Sequence, residues 1–122
     1  MTEDPIVCLV DDDESVRIAT SKLLKLNGYA VRAFASAEEC LNSPELAHAR
    51  CLITDLVMPG MNGLALQERL AADGHKIPMI FISAHAEDQN RKRALSAGAV
   101  AFLSKPFDEQ ALKRVVEQAL GQ

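Results

Sequence analysis

The stretch IVCLVDDDE, residues 6–14, places an unbroken run of five apolar residues directly before four acidic ones. Short apolar runs that do not alternate with polar residues are typical of strands that are covered on both faces of a parallel sheet. Four similar runs follow along the chain, at residues 30–34, 51–54, 79–83 and 100–103. We therefore predict five buried strands, the first of which ends at the acidic residues.

Helix-length stretches separate these runs, and glycine follows several of them, as expected where a helix ends. We predict helices at about residues 14–26, 37–42, 64–72, 89–97 and 108–120. In the first helix we expect one apolar stripe, formed by Val16, Ala19, Leu23 and Leu24. Strict alternation of strands and helices predicts an α/β fold, a doubly wound five-stranded parallel sheet with strand order 2-1-3-4-5, which is the flavodoxin-like (βα)5 arrangement.

Composition excludes several classes of protein. A chain of 122 residues is the size of one domain, and a net charge of -4 does not favour direct contact with nucleic acid. No apolar run approaches the roughly 20 residues that cross a bilayer, and the acidic N-terminus does not resemble a signal peptide. We interpret the three cysteines as buried thiols in a reducing compartment. We therefore expect a single cytoplasmic domain over residues 1–122.

Polar residues follow the predicted strands at the edge where such sheets bind ligands. Asp11 and Asp12 follow the first strand, Asp55 the third, and Ser83 and Lys105 lie at the ends of the fourth and fifth. Clustered carboxylates repel each other unless a cation neutralises them, and oxygen ligands of this kind suit Mg²⁺. One Mg²⁺ and one lysine would balance three carboxylates. Such a site could transfer a phosphoryl group to an aspartate, with Mg²⁺ and the lysine stabilising the transferring oxygens and the serine then donating to one of them.

Each of these residues also has an ordinary structural explanation. The acidic run could cap the first helix, and Asp55 could be a turn residue. Ser83 could cap a turn, and Lys105 could be a solvated loop residue. These explanations leave out the joint placement of the residues at one sheet edge and the balance of their charges.

Four motifs in this order carry a resemblance to a known family. They are LVDDD at 9–13, TDLVMPGMNG at 54–63, ISA at 82–84 and SKPF at 104–107. Over about residues 5–120 the chain closely resembles the receiver domain of two-component response regulators. Residues 83–100 are most similar to regulators of the FixJ type, which carry a LuxR-type DNA-binding domain.

The resemblance implies an Mg²⁺-dependent phosphoacceptor that catalyses its own phosphorylation and slow dephosphorylation. Asp55 matches the residue that accepts a phosphoryl group from a histidine kinase or phosphotransfer protein. Asp11 and Asp12 match the acidic pair that holds Mg²⁺, with Asp12 the more direct ligand, and the backbone carbonyl of Val57 would join them. Lys105 matches the lysine of the family's site.

The resemblance also implies how the signal leaves the site. Ser83 matches the hydroxyl that turns toward the phosphoryl group, Phe102 takes the aromatic switch position, and Pro106 should follow a cis peptide bond. The output surface would be the fourth helix, fifth strand and fifth helix. We expect its opposite charges to pair in a homodimer formed on phosphorylation; they are Arg91, Lys92 and Arg93 on one element and Asp108, Glu109 and Glu117 on another. We also expect His85 to tune access of water to the acyl phosphate.

Other functions stay open at this point. A flavodoxin-like cofactor module would need a phosphate-binding loop where this chain has carboxylates. An aspartate-nucleophile phosphohydrolase would carry a second aspartate where this chain has Val57. A degenerate receiver that only docks partners would not need the intact set of site residues. The receiver could control transcription through an output domain or partner, or act alone in a phosphorelay.

Overall fold

The computed structural model describes residues 6–84 and 88–121. The strands are β1 (Ile6–Val10), β2 (Ala30–Phe34), β3 (Ala49–Asp55), β4 (Met79–Ser83) and β5 (Ala101–Ser104). The helices are α1 (Glu14–Leu26), α2 (Ala37–Leu41), α3 (Gly63–Ala72), α4 (Asp88–Ser96) and α5 (Glu109–Leu120), with a short 3₁₀ helix at Pro44–His48. Within these residues, no helix combines the length and apolar character needed to cross a bilayer.

The sheet has the predicted strand order, β2-β1-β3-β4-β5, and all of its pairings are parallel. Alternating residues of each strand enter two separate cores. Cys8, Leu52 and Phe81 pack on the side that also holds Leu66 of α3 and Ala94 of α4. The opposite core contains buried side chains of α1 and α5, among them Leu24, Leu112 and Val116. The doubly wound fold is therefore confirmed.

The element bounds differ from the prediction where pairing extends a strand beyond its apolar run. β3 begins at Ala49, which pairs with Ile6, and it includes Asp55, which pairs with Ile82. β5 lies one residue later than expected, and the 3₁₀ helix before β3 was not predicted. Asp108 lies outside α5 as its N-cap, because its carboxylate accepts the Ala111 N–H at 2.7 Å.

The predicted apolar stripe of α1 was wrong at one position. Ala19 is exposed, and Thr20 is buried in its place. Thr20 shares a face with Val16 and Leu24 because side chains four residues apart lie on the same side of a helix, whereas Ala19 is rotated by about 100° from Thr20. A pattern based only on apolar character misses a buried threonine.

The cysteines are buried free thiols, as predicted. Burial raises the pKa of the Cys8 thiol to about 11 and the pKa values of Cys40 and Cys51 to about 12. At neutral pH these side chains are therefore protonated, and they pack as small hydrophobic groups.

Candidate functional site

Asp11 and Asp55 lie side by side at the carboxyl edge of the sheet. β1 and β3 pair in parallel so that Val10 lies opposite Thr54, and an aspartate follows each of these two residues. Asp11 is 1% exposed and Asp55 is 9% exposed. The Asp11 N–H donates to the Phe34 carbonyl at 3.1 Å, and the N–H of Leu56, the residue after Asp55, donates to the Ile82 carbonyl at 3.0 Å.

Lys105 joins these two carboxylates from the loop that follows β5. Its Nζ donates to Asp55 Oδ2 at 2.8 Å and to Asp11 Oδ2 at 3.2 Å. The Lys105 N–H donates to the Ser83 carbonyl at 2.8 Å, and the predicted cis Lys105–Pro106 peptide is present. Burial disfavours the ammonium, but its hydrogen bonds and charge pairing with Asp55 and Asp11 outweigh burial and raise the pKa of Lys105. Lys105 is therefore a cation at neutral pH.

The carboxylates of Asp11, Asp12 and Asp55 form a group that could hold a metal ion, with one oxygen of each within 4.8 Å of the others. Asp11 Oδ1 accepts the Asp13 N–H at 2.9 Å, and Asp55 Oδ1 accepts the Val57 N–H at 3.2 Å. Asp12 is exposed, so its oxygens face solvent at the mouth of the site. Within the part of the chain that the structure describes, this group offers only carboxylate oxygens, which are hard donors that fit a partly hydrated Mg²⁺.

Burial is the dominant influence on Asp11. It raises the pKa of the Asp11 carboxyl, while the Asp13 N–H and Lys105 oppose the change and Asp55 adds to it. A cation that binds between a buried carboxylate and a neighbouring carboxylate stabilises the charged form of the buried group, because it offsets their repulsion.

The loop after β3 approaches the site closely. Val57, the predicted carbonyl ligand, has a side chain that is 57% exposed, so its identity is not fixed by packing. The Gly63 N–H donates to the Leu56 carbonyl at 2.9 Å. A Cβ on Gly63 would lie 2.6 Å from the Asp55 carbonyl oxygen and 3.0 Å from the Phe81 ring, so only glycine fits there.

Ser83 and Phe102 share one face of the sheet. Ser83 pairs with Ser104 at the ends of β4 and β5, and Phe81 pairs with Phe102 two residues earlier. Because side chains alternate along strands, Ser83 lies on the same face as Phe81. Ser83 is 1% exposed, whereas Phe102 is half-buried and stacks on Phe81 with ring centroids 6.4 Å apart.

The charged residues predicted for the output surface are only partly brought together. Arg91, Lys92 and Arg93 are exposed on α4, and Asp108 and Glu109 are exposed where α5 begins. Glu117 is also exposed on α5, and its charge adds to burial in raising the pKa of the Tyr29 phenol. His85 lies outside the described residues.

Sequence reasoning missed Arg17 of α1. Its Nη1 donates to the Asp11 carbonyl oxygen at 2.7 Å. A basic residue one turn into a helix that begins at an acidic run is the available signal, but sequence alone does not show that a long side chain folds back onto the backbone.

Comparisons with known proteins find similar chains. A model of the response regulator receiver domain matches residues 7–117. The response regulator protein TmoT of Ectopseudomonas mendocina is 40% identical over 118 residues, which are 97% of this chain and 54% of that protein. The transcriptional regulatory protein FixJ of Azorhizobium caulinodans is 36% identical over 121 residues, 99% of this chain and 57% of that protein. The chain thus spans about half the length of these relatives.

A solved structure described as FixJ-N superposes with a TM-score of 0.88 at 35% identity, covering 99% of this chain and 97% of that one. The similarity to FixJ proteins agrees with the subgroup that the sequence motifs predicted.

Proposed function

The chain belongs to the response regulator receiver domain family, and from that premise we propose that Asp55 accepts a phosphoryl group from a phosphohistidine of a kinase or phosphotransfer protein. An oxygen of the Asp55 carboxylate attacks phosphorus, the phosphorus–nitrogen bond breaks, and its electron pair stays on the donor imidazole. The observation that carries the proposal is the Asp55 carboxylate bound to Lys105 Nζ at 2.8 Å, with Asp11 and Asp12 beside it.

Each residue of the site has a role in the proposed reaction. Asp11, Asp12 and Asp55 would hold Mg²⁺ together with the Val57 carbonyl, and the ion would offset the charge of the carboxylates and the transferring oxygens. Lys105 already neutralises part of the charge on Asp55 and remains close enough to contact a phosphoryl oxygen. The same site slowly hydrolyses its own acyl phosphate, so the domain takes part in chemistry without being a conventional enzyme.

The phosphoryl group is read by Ser83 and Phe102. The Ser83 hydroxyl moves toward a phosphoryl oxygen to donate a charge-assisted hydrogen bond. Phe102, which is half-buried, swings into the space beside Ser83 on the same sheet face. Full burial of an aromatic side chain is worth about 1.5–3 kcal/mol, and a fraction of this shifts a two-state equilibrium severalfold.

The altered surface of α4, β5 and the start of α5 then forms a homodimer. Arg91, Lys92 and Arg93 pair with Asp108 and Glu109 of a second copy across a two-fold axis. Glu117 is left out of this proposed surface, because its charge acts on the Tyr29 phenol.

The output is control of transcription through a DNA-binding segment or a partner, as the name of the FixJ relative supports. The domain itself does not contact nucleic acid, in keeping with a net charge of -4. Residues 1–122 act as one receiver domain, and its buried free thiols fit a cytoplasmic location. A stand-alone role in a phosphorelay is the second candidate, and the sequence that continues the gene beyond position 122 distinguishes the two.

Intact-protein mass spectrometry tests the phosphoacceptor. With acetyl phosphate and Mg²⁺ we expect the wild type to gain one phosphoryl group and Asp55→Asn to gain none, because an amide oxygen is a poor nucleophile. Asp73→Asn is the matched control, since Asp73 pairs with Arg69 on an exposed surface, and it should label like the wild type. Full labelling of Asp55→Asn would exclude Asp55 as the acceptor.

A further inference from the structure

We propose that Arg17 is a positioning residue that strengthens divalent-cation binding by holding the backbone between Asp11 and Asp12. Its Nη1 donates to the Asp11 carbonyl oxygen at 2.7 Å, a short distance typical of a charge-assisted hydrogen bond. This inference rests on the metal site of the proposed function, and it adds to that site a residue that does not itself bind the ion.

Asp12 is the proposed ligand that faces solvent. Within residues 6–84 and 88–121, no side-chain hydrogen bond or ion pair holds the Asp12 carboxylate, whereas Asp11 and Asp55 are both fixed by Lys105. The position of the Asp12 side chain therefore depends on the backbone that carries it.

That backbone is a short turn between β1 and α1. The Asp13 N–H donates to Asp11 Oδ1 at 2.9 Å, and the Val16 N–H donates to Asp13 Oδ1 at 3.2 Å. The Arg17 N–H donates to the Asp13 carbonyl at 2.9 Å as the first hydrogen bond of the helix. These contacts fix both ends of the turn, but none of them holds the peptide that joins Asp11 to Asp12.

The Arg17 guanidinium holds that peptide. The Asp11 carbonyl belongs to the Asp11–Asp12 peptide plane, so a hydrogen bond to its oxygen limits rotation of the plane. Rotation would swing the Asp12 Cα and move its carboxylate relative to those of Asp11 and Asp55. Groups that orient metal ligands in this way commonly change metal affinity when they are removed.

Charge and position predict opposite effects of removing Arg17. If its positive charge mainly repels a bound cation, a neutral residue would strengthen Mg²⁺ binding. Among the described residues, Arg17 forms no ion pair with a carboxylate, and its short contact is with a backbone carbonyl. We therefore expect that, without Arg17, the displacement of Asp12 weakens Mg²⁺ binding more than the loss of charge repulsion strengthens it.

The experiment titrates the wild type and the arginine variants with Mg²⁺. Calorimetry and backbone amide chemical shifts measure the affinity. Arg17→Met should bind Mg²⁺ about five- to tenfold more weakly than the wild type, and Arg17→Lys should fall between them because it keeps a donor without the planar fork. Arg69→Met is the matched control, since it removes the charge of an exposed arginine on α3 and should leave affinity unchanged.

A second readout needs no metal. In metal-free protein, hydrogen exchange of the Asp13 and Val16 amides should be faster in Arg17→Met than in Arg69→Met. Urea unfolding checks that each variant is folded, and Arg17→Gln replaces Arg17→Met if the latter is not.

Equal or tighter Mg²⁺ binding by the neutral Arg17 variant, or unchanged exchange of these amides, would overturn the inference. Asp12→Ala distinguishes this failure from failure of the metal site. If Asp12→Ala weakens binding while the Arg17 variant does not, the site stands and Arg17 has no positioning role. If Asp12→Ala also leaves binding unchanged, the metal site itself is wrong.

Discussion

Burial of Asp11 disfavours the charged carboxylate that the proposed metal site needs. Its carboxylate is nearly inaccessible to solvent, and burial raises its pKa despite the hydrogen bonds from Asp13 and Lys105. A buried charge of this kind lowers the stability of the metal-free fold, and such costs are common where a site must bind a ligand.

The Asp11 carboxyl gives a pH-dependent prediction. Because its pKa is higher in the folded chain than in the unfolded chain, its contribution to stability is present at low pH and is lost as pH rises through the folded pKa. Asp11→Asn should therefore raise the free energy of unfolding at pH 7, by about 0.5–2 kcal/mol, with a smaller gain at acidic pH. Urea unfolding without Mg²⁺ measures this difference, and equal stability of both proteins at pH 7 would contradict it.

The sequence predicted those site residues that lie at the ends of strands. Asp11, Asp55 and Ser83 follow or end buried strands, and the parallel sheet brings those ends to one edge. Arg17 was not predictable, because its contact depends on the path of a long side chain rather than on its place in the sequence.

α4 is attached to the fold mainly near its C-terminal end. Ala94 is fully buried and is the one buried residue among positions 89–96, while Arg91, Lys92 and Arg93 are exposed. Gln67 of α3 donates to the Ala94 carbonyl at 3.1 Å, and the Ala99 N–H donates to the same oxygen at 3.0 Å. Both hydrogen bonds lie on the last turn of α4, where Ala94 is buried.

Gln67 provides a test of how α4 is attached. Gln67→Leu keeps the approximate size of the side chain but removes the hydrogen bond to Ala94, so exchange of the Ala97, Gly98 and Ala99 amides should be about three- to tenfold faster. Overall stability should fall by no more than about 1.5 kcal/mol, because Ala99 still satisfies the carbonyl. Gln110→Leu, on the exposed surface of α5, is the control. Equal exchange at residues 97–99 in both variants would show that Gln67 does not anchor the helix.

Elements were predicted well wherever one apolar period dominated. β1, β2, β4 and α1 have the bounds that the sequence indicated. Three features were missed. Pairing with its neighbours extends β3, and the 3₁₀ helix lacks a periodic signal. Thr20, a polar residue, is buried where Ala19 was expected.

The whole fold followed from the alternation of strands and helices, because a parallel sheet must be covered on both faces. The arrangement of surface charge did not follow from the sequence. Glu117 was expected to belong to the output surface with Asp108 and Glu109, and its charge acts on the phenol of Tyr29, which precedes β2. The spacing of apolar residues predicts which face of a helix is buried, but it does not predict which neighbouring elements the exposed residues lie near.

Dimerisation is the prediction that concerns the whole molecule. Sedimentation velocity should show a monomer without a phosphoryl mimic and a dimer with beryllofluoride and Mg²⁺, because the mimic stabilises the altered α4 and β5 surface. Reversing charge with Arg91→Glu and Lys92→Glu should weaken the dimer by about tenfold through like-charge contacts. Glu117→Lys should leave it unchanged, as its residue lies outside the surface. An unchanged sedimentation coefficient with beryllofluoride would exclude the dimer.

The central claim is that the chain carries its signal as an acyl phosphate on Asp55. Reduction of the phosphorylated protein with borohydride converts an aspartyl phosphate to homoserine, and peptide mass spectrometry then locates the modified position. We predict homoserine at position 55 alone, formed only when Mg²⁺ was present during phosphorylation. Homoserine at another carboxylate with Asp55 unmodified, or equal labelling of Asp55 after Mg²⁺ is removed by a chelator, would contradict the account.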